Sequence, residues 1–254
     1  MEFTSALQKL GGYQPRKSQK SQEVLQKGTS LLASQSFASK GDDGKHPSLW
    51  ESFEKLLLAA MDQGDMDVAD ECLKVLVEKF PDSPRIDCLT GIVLETKETP
   101  ETALSFYDAL LKDDPSNAAA WRRKVGILKR IGKIDKAVEE LCKMLDTFYT
   151  EVEGWMELAD IYSSCQQYTH ALQALSHVLL LAPQNPFHVL HFAETAFLVP
   201  DVPLAFKMFL QAVDMTDDED QDGVSPGDTV PTGLALRAWF GVKLVSRLIP
   251  FPMV

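Results

Sequence analysis

The chain has 254 residues, 45% of them hydrophobic, and a net charge of −12. Such an acid excess argues against bulk nucleic-acid binding, because neutralising phosphates requires a basic footprint. The charge is uneven: residues 1–49 carry seven Lys/Arg against four Asp/Glu, which leaves about −15 for the rest.

Residues 1–49 read as a polar segment. "GGYQPRKSQKSQ" is loop-like, whereas Val24, Leu25, Leu31 and Leu32 recur at helical spacing and predict one helix over about 20–34. "SKGDDGKHPS" then reads as a turn-rich linker. "MEFTSALQKLGG" has no apolar core of a signal peptide, so a cytosolic location is expected.

From residue 50 a period of 34 takes over. Ala69, Ala103, Ala137, Ala171 and Ala205 share one register. Four residues later come Leu73, Tyr107, Leu141, Leu175 and Phe209, and twelve later come Pro81, Pro115, Tyr149, Pro183 and Asp217. Sixteen before each Ala stand Phe53, Asp87, Trp121, Trp155 and Val189. This is the tetratricopeptide (TPR) pattern, and it predicts an all-α solenoid of antiparallel helix pairs. The expected repeats are 50–83, 84–117, 118–151, 152–185 and 186–219. Gly64, Thr99-Pro100, Gly132 and Pro200 with Pro203 fall where each pair should turn. Pro81, Pro115 and Pro183 should stop the second helix of a pair. "FPDSP" and "DDPSN" offer Asp or Ser as caps for the next helix. Ala159 and Gly91, the small residues of the first helix, should let the second approach, as the recurrent Ala does from the other side.

Residues 220–254 read as the remainder of an acidic loop, "DDEDQDGVSPGD" over 217–228, and an incomplete sixth repeat with Phe240-Gly241 in the large-small slot. The longest apolar stretch, "GLALRAWFGVKLVSRLIPF" at 233–251, is interrupted by Arg237, Lys243 and Arg247 and is too short to span a bilayer. Its apolar residues wrap most of a helix, so Trp239 and Phe240 are candidate partner contacts.

The residues between the consensus positions carry a narrower likeness. "LLLAAMDQGDMDVADECLKVLVEKFPDSPRIDCLTGIVLE", "YDALLKDDPSNAAAWRRKVGILKRIGK" and "WMELADIYSSCQQYTHALQALSHVLLLAPQNPFHVLHFAE" together resemble the subunit 2 family of the ER membrane protein complex. The resemblance covers roughly 20–215. It implies a peripheral scaffold on the cytosolic face of the endoplasmic reticulum with no transmembrane helix of its own. Its expected partners are cytosolic and transmembrane subunits of a complex that inserts tail-anchored and multi-pass proteins. The acidic insertion and the apolar end depart from that family.

No catalytic constellation is present: the sequence has no phosphate loop, H-E-x-x-H or nucleophile elbow. No enzyme activity, cofactor or metal is expected. His188 and His191 stand three apart, but beyond Glu194 no Cys or carboxylate accompanies them at metal spacing. Cys72, Cys88, Cys142 and Cys165 form no C-x-x-C pair and read as buried or half-buried thiols. Glu139 and Glu140 read as solvated helix charges. In "WRRKVGILKRIGKIDK", 121–136, seven of sixteen residues are basic. Arg122, Lys129 and Lys133 form one expected line and Arg123 and Arg130 another, facing an acidic partner or anionic lipid head groups. The alternative function is a soluble TPR adaptor or co-chaperone that binds peptides in its groove. Against it, Glu54, Leu58 and Leu89 stand where a carboxylate clamp would place cations and amides, and only Arg123 fits.

Overall fold

The computed structural model describes residues 47–217 and 232–248. The expected helix at about 20–34, most of the acidic loop and residues 249–254 lie outside the described residues. Among the described residues there are eleven helices and no strand. They are α1 (Pro47–Gln63), α2 (Met66–Lys79), α3 (Pro84–Lys97), α4 (Pro100–Asp113), α5 (Ala118–Arg130), α6 (Ile134–Thr147), α7 (Val152–Ser164), α8 (Tyr168–Leu181), α9 (Pro186–Leu198), α10 (Val202–Asp217) and α11 (Gly233–Ser246). The chain divides into two compact units, residues 1–123 and 124–254, and the division falls inside α5. In the first unit α1 packs on α2, α2 on α3 and α3 on α4. In the second, α6 packs on α7, α7 on α8, α8 on α9, α9 on α10, and α11 on both α9 and α10.

Helix starts repeat to the residue. α3, α5, α7 and α9 open at 84, 118, 152 and 186, and α2, α4, α6, α8 and α10 open at 66, 100, 134, 168 and 202. Small side chains set the spacing within the layers. Ala69, Ala103, Ala137, Ala171 and Ala205 are all fully buried. At Gly91 a Cβ would lie 2.5 Å from the Tyr107 hydroxyl, and at Gly241 one would collide with the Phe209 ring. Tyr107 and Phe209 are repeat equivalents, so each large residue fills the hollow left by a missing Cβ. The first pair differs. α2 buries Cys72 and Leu76, whereas Leu73 is only half-buried, so its core face is turned by one position relative to α4.

Three of the tight turns share one hydrogen-bond pattern. The Gly64 N–H donates to the Met61 carbonyl and the Asp65 N–H to that of Ala60. The same two bonds recur from Gly132 to Lys129 with Lys133 to Leu128, and from Gln166 to Ser163 with Gln167 to Tyr162. This is the Schellman arrangement, which needs a left-handed residue just past the helix. Gly64 and Gly132 supply φ of 80° and 76°, and Gln166 is held at 59° in the same position. The other pairs turn differently. Pro100 and Pro203, expected as turn residues, instead lie in the first turn of α4 and α10, where a missing N–H costs nothing. Thr99 and Asp201 cap these helices, accepting from the Thr102 and Leu204 N–H groups.

The junctions between pairs also depart from expectation in detail. Pro81, Pro115 and Pro183 each lie just past the capping residues Phe80, Asp114 and Ala182. Ser83 stands at the cap of α3 but its side chain makes no capping bond. In "DDPSN" the cap is Asn117, whose Oδ1 accepts from the Ala120 N–H at 3.1 Å, while Asp114 instead binds Ser116. The indole N–H groups of Trp121 and Trp155 donate to the carbonyls of Pro115 (3.1 Å) and Tyr149 (2.9 Å). Donors and acceptors are both one repeat apart, so this Trp ties its helix to the loop that precedes it. Trp155 also stacks on His177, ring centroids 4.2 Å apart.

Candidate interaction surfaces

The candidate basic site starts on α5. Arg122, Arg123, Lys129 and Arg130 are exposed on this helix. Lys133 does not share its line, because left-handed Gly132 ends the helix and places Lys133 at the N-cap of α6. Arg123 lies close enough to Cys88 and Tyr107 to act on both electrostatically, and those two side chains are buried. Lys129 reaches across to α7 and binds Glu157 at 2.7 Å, so part of its charge is already matched.

Lys124, within the same run, is spent on the fold. Its ammonium binds Glu140 at 2.5 Å, and the side chains are 13% and 15% exposed. Glu140, expected as a solvated charge, is therefore a covered anion; it also accepts from Lys143 at 3.1 Å. Burial would raise its pKa, but the bonds from Lys124 and Lys143 prevail and hold the carboxyl below its ordinary range. Glu139, by contrast, is exposed and pairs with Lys143 at 2.8 Å.

Further polar pairs join helices that open successive repeats. In the first unit Arg85 of α3 binds Glu54 of α1 at 2.5 Å. In the second unit His191 of α9 lies 3.7 Å from Asp160 of α7, and Arg237 of α11 grips both oxygens of Glu194 of α9 at 2.8 and 2.9 Å. Asp160 and Glu194 stand 34 residues apart. The period that located the alanines thus also carried these acids, which the search for partner residues passed over.

Among the described residues no cluster of His, Cys, Asp or Glu could hold a metal. Burial, then the neighbouring His191, lowers the His188 pKa and favours a neutral ring. Cys72 and Cys88 are buried and Cys142 is half-buried. Burial, reinforced by Glu71, pushes the Cys72 thiol up to about 12. Cys165 departs from expectation: it is exposed, because it is the C-cap of α7 at the start of a tight turn.

The second candidate surface is on α11. Ala235, Ala238, Gly241 and Val245 are buried, whereas Leu236, Trp239, Phe240 and Leu244 are exposed. Trp239 is 43% exposed and belongs to the surface, whereas Trp121 and Trp155 are half-buried. No helix among the described residues is long and apolar enough to cross a membrane.

With this repeat geometry in place, the comparisons become specific. A family model described as the EMC2 TPR-like repeat domain matches residues 69–211. The chain belongs to the EMC2 TPR-like repeat family. ER membrane protein complex subunit 2-A of Xenopus laevis is 36% identical over 197 residues, which cover 76% of this chain and 64% of that protein. The TPR repeat protein oca3 of Schizosaccharomyces pombe is 33% identical over 138 residues, covering 54% of this chain and 49% of that one. The chain thus spans less than two thirds of the length of these relatives. Among solved structures, the C-terminal part of a TPR repeat-containing protein from Cytophaga hutchinsonii matches with a TM-score of 0.56 at 16% identity, covering 92% of this chain and 93% of that one. The MamA protein matches with 0.53 at 15% identity, covering 74% of this chain and all of that one. These distant likenesses establish the all-α TPR fold.

Proposed function

We propose that this EMC2-family chain is a non-enzymatic scaffold subunit of the ER membrane protein complex, peripheral on the cytosolic face. In this role it supports insertion of tail-anchored and multi-pass proteins by holding membrane-embedded subunits against cytosolic ones. The observation that carries the reading is the 36% identity to a named subunit 2 across 76% of the chain. The repeat geometry supports it, since stacked helix pairs present long surfaces to several partners at once. Arg122, Arg123, Lys129, Arg130 and Lys133 are the residues proposed to meet an acidic partner surface or anionic head groups. The adaptor alternative is weaker, because Glu54 occupies a clamp position and is neutralised by Arg85 rather than replaced by a cation.

The test is complementation. In cells depleted of their own subunit 2, this chain should restore insertion of a tail-anchored reporter. Stable assembly without restored insertion would overturn the insertion role and leave only the scaffold.

A further inference from the structure

Seven glycines lie among the described residues, and six of them have a reason in the fold. Gly64, Gly132 and Gly233 hold a positive φ, and a Cβ at Gly91, Gly154 or Gly241 would lie under 3.0 Å from a neighbouring side chain. Gly126 has neither reason. It lies inside α5, it is exposed, and a Cβ there would meet nothing within 4 Å. A glycine within a helix costs stability relative to alanine, and at this position no packing contact offsets the cost.

The residues around Gly126 are all of one charge. On a helix surface the neighbours of position i are i±3 and i±4. For Gly126 these are Arg122, Arg123, Lys129 and Arg130, and all four are exposed. The five residues lie on one helix, so their spacing follows from α5 alone, and Arg122 to Arg130 spans about 12 Å along its axis. The repeat sharpens the contrast. Ile92, Asp160 and Glu194 are the equivalents of Gly126, and the two acids face His191 and Arg237. α5 thus keeps the cations and lacks both an acid and any side chain between them. Lys129 binds Glu157 at 2.7 Å, but the two side chains are 39% and 30% exposed. Such surface pairs contribute little and exchange readily for a multiply charged anion.

We propose that the gap over Gly126 binds a phosphomonoester group of a small ligand that carries several phosphates on a compact ring, of the inositol phosphate class. The missing side chain lets an oxyanion approach the helix surface between the four cations. Three of the four are Arg, whose planar fork matches phosphate oxygens two at a time. Binding also relieves the repulsion among like charges on neighbouring turns. Monovalent head groups spread over a membrane plane need no such gap, whereas a compact polyanion uses both the gap and the ring of cations. A soluble inositol phosphate and the head group of a phosphorylated inositol lipid share this chemistry. The inference rests on the reading that these cations meet an anionic partner, and adds what the gap between them selects.

The test uses the purified full chain with fluorescent inositol tetrakisphosphate, read by anisotropy. A second arm uses phosphatidylcholine vesicles with and without phosphatidylinositol bisphosphate, read by co-sedimentation. The native chain should bind the soluble probe saturably. Gly126→Leu keeps every cation but fills the gap, and should weaken binding about tenfold. Gly126→Glu restores the acid of the later repeats and should abolish binding. Both variants should melt no lower than the native chain, since a better helix former replaces glycine in open space. Co-sedimentation that responds to the same variants assigns the lipid as the source, and soluble binding without it assigns the free ligand. The proposal is overturned if neither probe binds, if Gly126→Leu binds as tightly as the native chain, or if a glutamate hexapeptide competes equally well. A lower melt for Gly126→Leu would place the glycine in the fold and overturn it too. Because Gly126→Leu retains the cations, recovery of partners from microsomes should be unchanged, whereas charge reversal on α5 tests that broader reading separately.

Discussion

At the scale of single residues the fold turns on backbone permissiveness and missing methyl groups. Gln166 holds a left-handed conformation that its repeat equivalents assign to Gly64 and Gly132. A side chain with a Cβ pays about 1 kcal/mol there, partly offset by the greater unfolded entropy of glycine. Gln166→Gly is therefore expected to stabilise by about 0.5 kcal/mol, seen as a raised urea midpoint with an unchanged slope. The opposite sign is expected at Gly91. The Tyr107 hydroxyl and ring edge stand where a Cβ would go, and Tyr107 is tethered to Glu95 at 2.8 Å. Gly91→Ala should cost about 1–3 kcal/mol, and Tyr107→Leu in the same chain should recover part of it. An additive double variant would remove the contact from the account. The sequence marked Gly91 as small for this reason, because its spacing to Ala159 was visible. It gave no sign that Gln166 is left-handed, since nothing about Gln demands that conformation; only the shared turn hydrogen bonds show it.

At the scale of elements, two kinds of tie hold neighbouring helices. Trp121 and Trp155 each bind the carbonyl of the loop before their own helix. Trp155→Phe keeps the ring but loses that donor, so it should cost about 1 kcal/mol and speed hydrogen exchange in the 148–152 loop. Unchanged exchange would reduce Trp155 to packing alone. The second tie is Lys124 with Glu140. Lys124→Met leaves a covered carboxylate with one partner fewer and should cost about 1–3 kcal/mol at pH 7. The folded pKa of Glu140 is depressed, so its stabilisation is present above the unfolded value near 4.5. It fades as pH falls below that value and through the folded pKa. The gap between native and Lys124→Met melts should therefore close on acidification below about 4.5; a gap independent of pH would remove the pair from the account. Helix placement was legible from five alanines and the residues at fixed offsets from them. The ion pairs were not, because long charged side chains choose partners on other elements. Local sequence showed Glu140 only beside Lys136 and Lys143, whereas the fold brought it Lys124 from sixteen residues away.

At the scale of the whole molecule, the repeat supplies surfaces and the charges divide them. Within the basic run, Lys124 serves the fold and Lys129 is partly matched, while Arg122, Arg123 and Arg130 are exposed on α5 and are the residues proposed to meet partners. Reversing Arg122, Arg123 and Arg130 to Glu should leave the thermal melt within a few degrees while weakening recovery of partners several-fold at physiological salt. Undiminished recovery would return these residues to plain surface.

The central claim is that this EMC2-family chain assembles with a membrane-embedded complex, and it can be measured directly. Tagged chain is recovered from detergent-solubilised microsomes and from cytosol, and its partners are identified by mass spectrometry. The account predicts near-stoichiometric subunits of the ER membrane protein complex in the microsomal fraction, retained through size exclusion. Recovery of the chain alone, or only with soluble chaperones, would contradict it.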